Sequence, residues 1–257
     1  MADLRTYPDI ETLSSALADA IVQSASKTVA ARGKFLLVLN GGGTPQGLFN
    51  LWGRAPWRDA DFWEFTEIFW GDERCVPPDQ AGSSYKQAAD AFLGAVPIPE
   101  AQIHRIKGEL DPETAAREYA ATLEGCAPRG ARWPRFDLVL LGMGNDGHTA
   151  SLFPGPIFDF GRVAGKPPIY DAPGVIAVTA HYEDRPAQRV TLTAEVFNDA
   201  RQVFFMATGA SKSDALRAVL NGPYLPETHP AQSIRPHNGA VTWWVDEAAA
   251  GRLASVT

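Results

Sequence analysis

The sequence predicts an α/β fold with a mainly parallel central sheet. Short apolar runs, such as residues 35–39 and 136–141, alternate with longer segments of helical spacing, such as residues 9–32. Strands that alternate with helices form parallel sheets with right-handed crossovers. The chain has 257 residues, 45% of them hydrophobic, and shows no internal repeat or low-complexity linker. We therefore expect a single domain over residues 1–257.

Elements in the amino-terminal half follow one another as helix, strand and turn. Apolar residues recur at helical spacing over residues 9–32, and a buried strand follows at residues 35–39. At the next turn Thr44 is suited to cap a helix and Pro45 to take its first helical position. The elements expected after it are a strand at residues 65–70 and helices that begin at Ser83 or Ser84 and at residues 111–112.

The carboxyl-terminal half supplies the remaining strands. The predicted elements are strands at residues 136–141, 175–179, 189–192, 203–208 and 241–245, with helices after residues 211 and 246. Stretches rich in Pro and Gly at residues 154–173 and 222–239 separate some of them. We interpret both stretches as long surface loops that could act as lids.

Composition and charge exclude several classes of function. The formal net charge is −7 and no segment is strongly basic, which argues against a nucleic-acid or anionic-membrane surface. The apolar runs are too short to span a bilayer, and the first twenty residues carry several charges, so we expect no membrane anchor and no signal peptide. Two cysteines are too few for a disulfide framework. We predict a cytoplasmic protein that binds a small molecule, as a monomer or a homodimer.

Four polar clusters follow predicted strands. They occupy residues 40–44, 72–74, 146–148 and 211–212. In an open parallel sheet the carboxyl ends of the strands share one edge, and ligands bind in the crevice there. The coincidence of the four clusters therefore predicts one ligand site at that edge.

The first cluster is a glycine-rich turn before a helix. It consists of Asn40, Gly41, Gly42, Gly43 and Thr44. Consecutive backbone N–H groups at a helix amino terminus suit a phosphate, although a plain strand-to-helix turn would read the same way. No Gly-Lys-Ser/Thr follows, which argues against a nucleoside triphosphate.

The third cluster places an acid and a histidine on a second glycine-rich turn, after Gly144. A neutral imidazole at His148 can take a proton from water, and Asp146 can orient the ring or contact substrate hydroxyls. The alternatives are a capping histidine and a turn-forming aspartate. Residues 142–147 also fit the dinucleotide fingerprint, but the prolines at 154 and 156 end any helix within two turns, which argues against a nicotinamide cofactor.

Cationic residues lie near the same clusters. Arg74 is a candidate anion contact, with a salt bridge to Asp72 or Glu73 as its alternative. Lys212 is predicted in the first turn of a helix, where a cation opposes the helix dipole and a bound phosphate would account for it. Arg189 is a candidate second cation, with a surface role as its alternative.

These segments together resemble the 6-phosphogluconolactonase family, within a wider group of glucosamine-6-phosphate deaminase-like sugar-phosphate proteins. The resemblance covers nearly the whole chain and is most specific around His148. The matching segments are residues 39–45, 70–77, 142–155, 189–193, 209–212 and 241–246.

The resemblance implies a fold, a reaction and residue roles. The fold is a Rossmann-like three-layer sandwich of the deaminase, ribose-phosphate isomerase and CoA-transferase type. The reaction is hydrolysis of 6-phospho-D-glucono-1,5-lactone in the oxidative pentose phosphate pathway, without a metal or cofactor. His148 would activate water beside Asp146. The group that stabilises the oxyanion stays open, with a backbone N–H near Gly144 as one candidate. The 6-phosphate would be held by the turn at residues 40–44, Arg74 and Lys212, with Asp72 and Arg189 as further substrate contacts.

The chain departs from the family pattern at three places. The family usually has Ser where Asn40 stands and often Ser at Gly43, and residues 80–84 replace a His-x-Asp-Ser-Asn segment. Two other functions stay open. In an amino-sugar phosphate deaminase or isomerase a Glu stands where this chain has Phe153. A non-catalytic sugar-phosphate sensor would have no need for the pair Asp146 and His148.

Overall fold

The computed structural model describes residues 3–155, 173–180 and 186–253. Within these ranges the strands are β1 (Asp3–Tyr7), β2 (Phe35–Leu39), β3 (Thr66–Trp70), β4 (Asp72–Arg74), β5 (Ile103–His104), β6 (Leu138–Gly142), β7 (Val175–Thr179), β8 (Gln188–Leu192), β9 (Gln202–Ala207) and β10 (Ala240–Asp246). The α-helices are α1 (Ile10–Arg32), α2 (Gln46–Trp52), α3 (Ser84–Ala88), α4 (Pro112–Cys126), α5 (Ala194–Asn198), α6 (Ser213–Asn221) and α7 (Glu247–Ala250).

Seven strands form a parallel sheet in the order β1-β10-β9-β6-β2-β3-β5. The predicted α/β class is confirmed. All five residues of β2 are buried, as a strand covered on both faces requires. In the register Leu39 lies opposite Trp70. The carboxyl ends of β9, β6, β2 and β3 therefore lie side by side at one edge.

A second sheet departs from the predicted arrangement. Strands β4, β8 and β7 pair antiparallel in that order and stand apart from the main sheet. Gly71 marks the point of departure, because its N–H donates to Leu39 O at 2.8 Å and its carbonyl accepts from Leu192 N at 2.8 Å. The pattern of apolar residues predicts where each strand lies in the sequence and whether it is buried. It does not predict which sheet the strand joins.

Helix α1 begins and ends where the sequence predicts. The Asp9 carboxylate accepts from Thr12 N at 2.7 Å, and Gly33 closes the helix at φ +79°. The capping role predicted for Thr44 is wrong. Helix α2 has Pro45 as its capping residue, with helical backbone angles and no side-chain hydrogen bond to the helix.

The prediction for Lys212 also needs a correction. Residues Ala210–Lys212 form a separate 3-10 turn, and α6 begins only at Ser213. Most of the predicted loop at residues 154–173 lies outside the described residues. The loop at residues 222–239 packs on the third polar cluster, since Ala231 N donates to Gly147 O and Gly155 N to Glu227 O, both at 2.9 Å.

Buried apolar residues from Leu13 to Ala249 form a hydrophobic core cluster. Four of its large aromatic rings pack together in stacked, edge-on or tilted pairs, namely those of Phe49, Trp52, Trp63 and Phe92. Among the residues described, no helix is long and apolar enough to cross a bilayer. The single domain over residues 1–257 stays a prediction.

Candidate active site

The four predicted polar clusters come together at one edge of the main sheet. They follow β9, β6, β2 and β3, which are neighbours in that order. Adjacent strands lie about 4.8 Å apart, so the four turns span roughly 15 Å. That width suits a ligand of the size of a hexose phosphate.

Asp146 and His148 form a close hydrogen-bonded pair after β6. His148 Nδ1 lies 2.6 Å from Asp146 Oδ1, and the His148 backbone N–H donates to the same oxygen at 3.1 Å. This contact assigns the ring proton to Nδ1, because an ionised carboxylate can only accept. The lone pair of a neutral imidazole is then on Nε2, the atom that can remove a proton from water.

The carboxylate of Asp146 is held in its ionised form. Burial acts to raise its pKa, but the hydrogen bond and the charge of His148 outweigh burial and lower the pKa from 3.8 to about 2. The pair therefore persists at pH values above about 4 and is lost only as the pH falls towards 2. Asp146 acts as an acceptor that orients the ring throughout the neutral range.

Gly144 is required where it lies. A Cβ added there would fall 2.0 Å from His148 Nδ1 and 2.5 Å from Asp146 Oδ1, so the two side chains occupy the space that any other residue would need. The Gly144 N–H donates to His148 O at 2.8 Å. An oxyanion-binding role for this N–H would require that bond to break.

Gly147 brings a second histidine to the turn. It has a φ of +83°, and a Cβ there would lie 2.9 Å from His229 Nδ1. His229 Nδ1 is buried and has no hydrogen-bond partner in the described part of the chain. His229 lies 82 residues beyond Gly147, and no local sequence pattern links the two.

A residue of α3 fixes the conformation of the glycine-rich turn after β2 through two hydrogen bonds. Gln87 Oε1 accepts from Gly42 N at 2.9 Å, and Gln87 Nε2 donates to Gly42 O at 2.6 Å. Gly42 has a φ of +118°, which favours glycine. The N–H groups of Gly43 and Thr44 have no acceptor within residues 3–155, 173–180 and 186–253, and they are available to an anion.

Three buried polar atoms around this turn lack a partner among the described residues. They are Asn40 Oδ1, Ser84 Oγ and Arg74 Nε. Asn40 Oδ1 lies over Gly71 and Ser84 Oγ lies over Gly41, each close enough to exclude a Cβ. A buried polar atom without a partner costs about 1–3 kcal/mol, and a polar ligand or water removes that cost. These atoms without partners make the turn a candidate polar ligand site.

Glu73 holds the same region together through hydrogen bonds. The sequence did not predict this structural role. Its carboxylate is 2% exposed and accepts from Ser84 N at 2.6 Å, Arg74 N at 2.7 Å and Tyr85 N at 2.8 Å. Burial raises its pKa, although these donors favour the ionised form. Glu73 thus fixes the start of α3 to β4 from eleven residues away, a separation at which no local capping pattern exists.

Arg74 and Arg189 face each other across β4 and β8. They are directly paired in the antiparallel register, which puts both side chains on one face of the sheet. Arg189 is 5% exposed, and its Nε donates to Pro186 O at 2.9 Å. Arg74 Nη1 donates to Gly82 O. The two guanidinium groups are candidate contacts for an anion.

Asp72 and Lys212 have different surroundings. Asp72 is buried and accepts from Ser151 Oγ at 2.6 Å, which ties the chain after His148 to β4. Lys212 is half-buried in the turn after β9, where Gly209 N donates to both carboxylate oxygens of Asp246 at 3.0 and 2.9 Å. Because β9 adjoins β6, the Lys212 turn lies next to the His148 turn.

Cys75 follows Arg74 but is not activated. Burial, and then the negative charge of Glu73, raise the pKa of its thiol to about 11. The thiol is therefore protonated at neutral pH, as expected of an inert cysteine.

Comparisons with known proteins identify the family. A family model described as glucosamine-6-phosphate isomerases/6-phosphogluconolactonase matches residues 8–243. Human 6-phosphogluconolactonase is 37% identical over 260 residues, covering 98% of this chain and 94% of the human protein. The structure of 6-phosphogluconolactonase from Trypanosoma brucei aligns with a TM-score of 0.82 at 26% identity over 99% of both chains.

A monomeric glucosamine-6-phosphate deaminase shares the fold. Its structure aligns with a TM-score of 0.77 at 21% identity, over 97% of this chain and 99% of the deaminase. At this identity the likeness concerns the fold alone. The family match and the human relative carry the assignment: the chain belongs to the glucosamine-6-phosphate isomerase/6-phosphogluconolactonase family.

Proposed function

We propose that this protein hydrolyses 6-phospho-D-glucono-1,5-lactone to 6-phospho-D-gluconate, a step of the oxidative pentose phosphate pathway. The observation that carries the proposal is the 2.6 Å contact between His148 Nδ1 and Asp146 Oδ1, at the same sheet edge as an anion-binding turn. The human relative at 37% identity is a 6-phosphogluconolactonase, which supports the same reaction.

The proposed chemistry uses His148 as a general base. Its Nε2 takes a proton from water while the water oxygen forms a bond to the lactone carbonyl carbon. The bond from that carbon to the ring oxygen then breaks, and the proton on Nε2 passes to the ring oxygen, which becomes a hydroxyl. A positioned base of this kind contributes about 10²–10⁴-fold to the rate. Asp146 stabilises the imidazolium that exists between the two proton transfers.

The proposed phosphate site is made by groups from two turns and from strand β4. The turn before α2 contributes the N–H groups of Gly43 and Thr44, Arg74 contributes a guanidinium, and Lys212 an ammonium. Arg189 adds charge beside Arg74, and we assign Asn40, Gly41, Gly42 and Asp72 to the walls of the site. Arg74 Nε and Ser84 Oγ, buried without partners among the residues described, are the atoms a phosphorylated sugar would satisfy.

The rival functions lack matching features. The ring of Phe153 packs on His148 with centroids 5.1 Å apart, so an apolar group stands where the deaminases of this group have a glutamate. A non-catalytic sensor would leave the oriented pair of Asp146 and His148 without a purpose.

Location and assembly are further parts of the proposal. Both cysteines are free thiols, which suits a reducing compartment, and we place the protein in the cytoplasm. We expect a monomer or a homodimer, and light scattering after size exclusion decides between them.

A stopped-flow assay of acid release from freshly made lactone tests the reaction. We expect catalysed opening far above the spontaneous rate for the phosphorylated lactone, and weak catalysis for the unphosphorylated one. Arg74→Met should raise KM for the phosphorylated lactone about 10–100-fold, because a charge-assisted contact is lost, and should leave the unphosphorylated lactone unaffected. Ammonia release from glucosamine 6-phosphate without lactone opening would instead support the deaminase.

A further inference from the structure

Three potential metal ligands lie close together beside β5, the outermost strand on one side of the main sheet. Glu67 belongs to β3, His104 to the edge strand β5, and Cys126 is the last residue of α4. A carboxylate oxygen, a ring nitrogen and the thiol sulfur all lie within 4.8 Å of one another. We propose that these three side chains bind a zinc ion.

The cluster is separate from the candidate active site. Glu67 is the second residue of β3, whereas Asp72 follows the carboxyl end of that strand. Five residues of extended chain correspond to roughly 16 Å. The proposed zinc site therefore goes beyond lactone hydrolysis, and its metal would not contact the substrate.

The donor set selects the metal. One thiolate, one imidazole and one carboxylate form a mixed set that suits Zn²⁺, whereas Mg²⁺ and Ca²⁺ take oxygen ligands. In a tetrahedral zinc site with bonds of about 2.0–2.3 Å, neighbouring donors lie roughly 3.5 Å apart. His104 Nε2 and Glu67 Oε2 are already 3.2 Å apart, the Cys126 sulfur lies within 4.8 Å of a donor atom of each, and water would take the fourth position.

Neighbouring groups orient two of the three ligands. Lys34 Nζ lies 3.0 Å from Glu67 Oε1, which turns the other oxygen, Oε2, towards His104 Nε2 at 3.2 Å. The His104 ring stacks on Phe69 with centroids 4.5 Å apart. Contacts that fix ligand orientation from outside are typical of metal sites. Zinc would take the place of the proton between Glu67 Oε2 and His104 Nε2. The side chain of Lys34 is half-exposed, so water can solvate the ammonium charge beside the metal.

The third ligand makes zinc binding sensitive to pH. Cysteine binds zinc as its thiolate. The metal must therefore displace the thiol proton, and its affinity should increase as the pH rises. Bound zinc would join the end of α4 to the sheet edge. At a free zinc concentration of about 100 Kd this should raise Tm by about 5–10 °C.

Cobalt substitution tests the ligand set in the full-length protein. After treatment with EDTA and its removal, Co²⁺ should produce a thiolate-to-cobalt charge-transfer band in the near ultraviolet. Zinc should abolish the band at one equivalent, with micromolar or tighter affinity measured against a chromophoric chelator. Cys126→Ser should remove the band, and His104→Ala should weaken zinc binding at least about 100-fold. Cys75→Ser, which changes the other half-buried thiol, is the matched control and should keep both properties.

The proposal is overturned if the wild-type protein shows no thiolate band, if the band survives in Cys126→Ser, or if Cys75→Ser removes it. Because the wild-type spectrum is itself decisive, an unfolded variant does not leave the question open. Lactone hydrolysis is assayed separately on the same samples. Its absence would count against the proposed function and leave the zinc site unaffected.

Discussion

At the scale of single residues, the candidate base depends on where one proton is held. Asp146 fixes the Nδ1 proton of His148, and Gly144 leaves room for both side chains. The low pKa of Asp146, about 2, keeps this arrangement unchanged throughout the neutral range. The reactivity of the ring is therefore set by orientation, and Asp146 has no proton to exchange with the substrate.

Replacement of the base should separate binding from turnover. We expect His148→Ala to lower kcat for the phosphorylated lactone by about 10²–10⁴-fold, the contribution of a positioned base. KM should stay within about twofold, because the groups proposed to hold the phosphate are intact. Steady-state kinetics on fresh lactone measure both constants. His237→Ala, at an exposed histidine, is the control and should match the wild type. Retention of wild-type kcat in His148→Ala would remove His148 from the mechanism.

At the scale of elements, much of the architecture was predictable. Helix α1, predicted over residues 9–32, spans Ile10–Arg32, and the glycine-rich turns follow the buried strands as the sequence predicts. Three features were not predictable: the antiparallel sheet, the hydrogen bonds to the Glu73 carboxylate, and the contact of His229 with Gly147. Each joins segments far apart in the chain, and such contacts depend on packing that local patterns do not record.

The turn after β6 offers a paired test with two glycines. Gly144→Ala would put a methyl group 2.0 Å from His148 Nδ1, so we expect the hydrogen-bonded pair to separate and kcat to fall at least about tenfold. Gly142→Ala is the control, since nothing lies within 4 Å of the added methyl group. Kinetics and circular dichroism on both variants measure activity and folding. Equal activity of the two variants would show that the steric conflict at Gly144 is without consequence.

The edge formed by β3 and β5 should respond to acid. A hydrogen bond from His104 lowers the pKa of Glu67 from 4.5 to about 2, against the effect of burial and with further help from Lys34. The stability this provides is complete above pH 4.5 and is lost as the pH falls towards 2, with an upper limit of about 3 kcal/mol. Thermal unfolding between pH 6 and pH 3, with EDTA present, should therefore show a smaller loss of Tm in Glu67→Gln than in the wild type. Parallel curves for the two proteins would contradict the assignment.

At the scale of the whole molecule, the carboxyl and amino ends of the strands in the main sheet have different roles. The carboxyl edge holds the polar turns that make up the candidate site. The opposite edge holds Asp137, a buried carboxylate before β6 that accepts from Leu36 N at 2.9 Å and pairs with Arg32 at 2.6 Å and Arg201 at 3.2 Å. These contacts join the end of α1, the start of β2 and the residue before β9. A substitution at the Asp137 end of the strands should therefore change the free energy of unfolding without changing kcat.

Replacement of Asp137 should cost stability and spare activity. Asp137→Ala removes the hydrogen-bond acceptor of Arg32 and of the buried Leu36 N–H, and the counter-charge beside Arg201, so we expect a loss of about 2–3 kcal/mol in the free energy of unfolding. Urea denaturation measures this loss, and kcat of the folded variant should equal that of the wild type. Asp59→Ala is the matched control, because the ion pair of Asp59 with Arg58 is exposed and should contribute less than about 0.5 kcal/mol. A loss below that size in Asp137→Ala would show that the helix, the strands and their packing hold this edge without the buried charge.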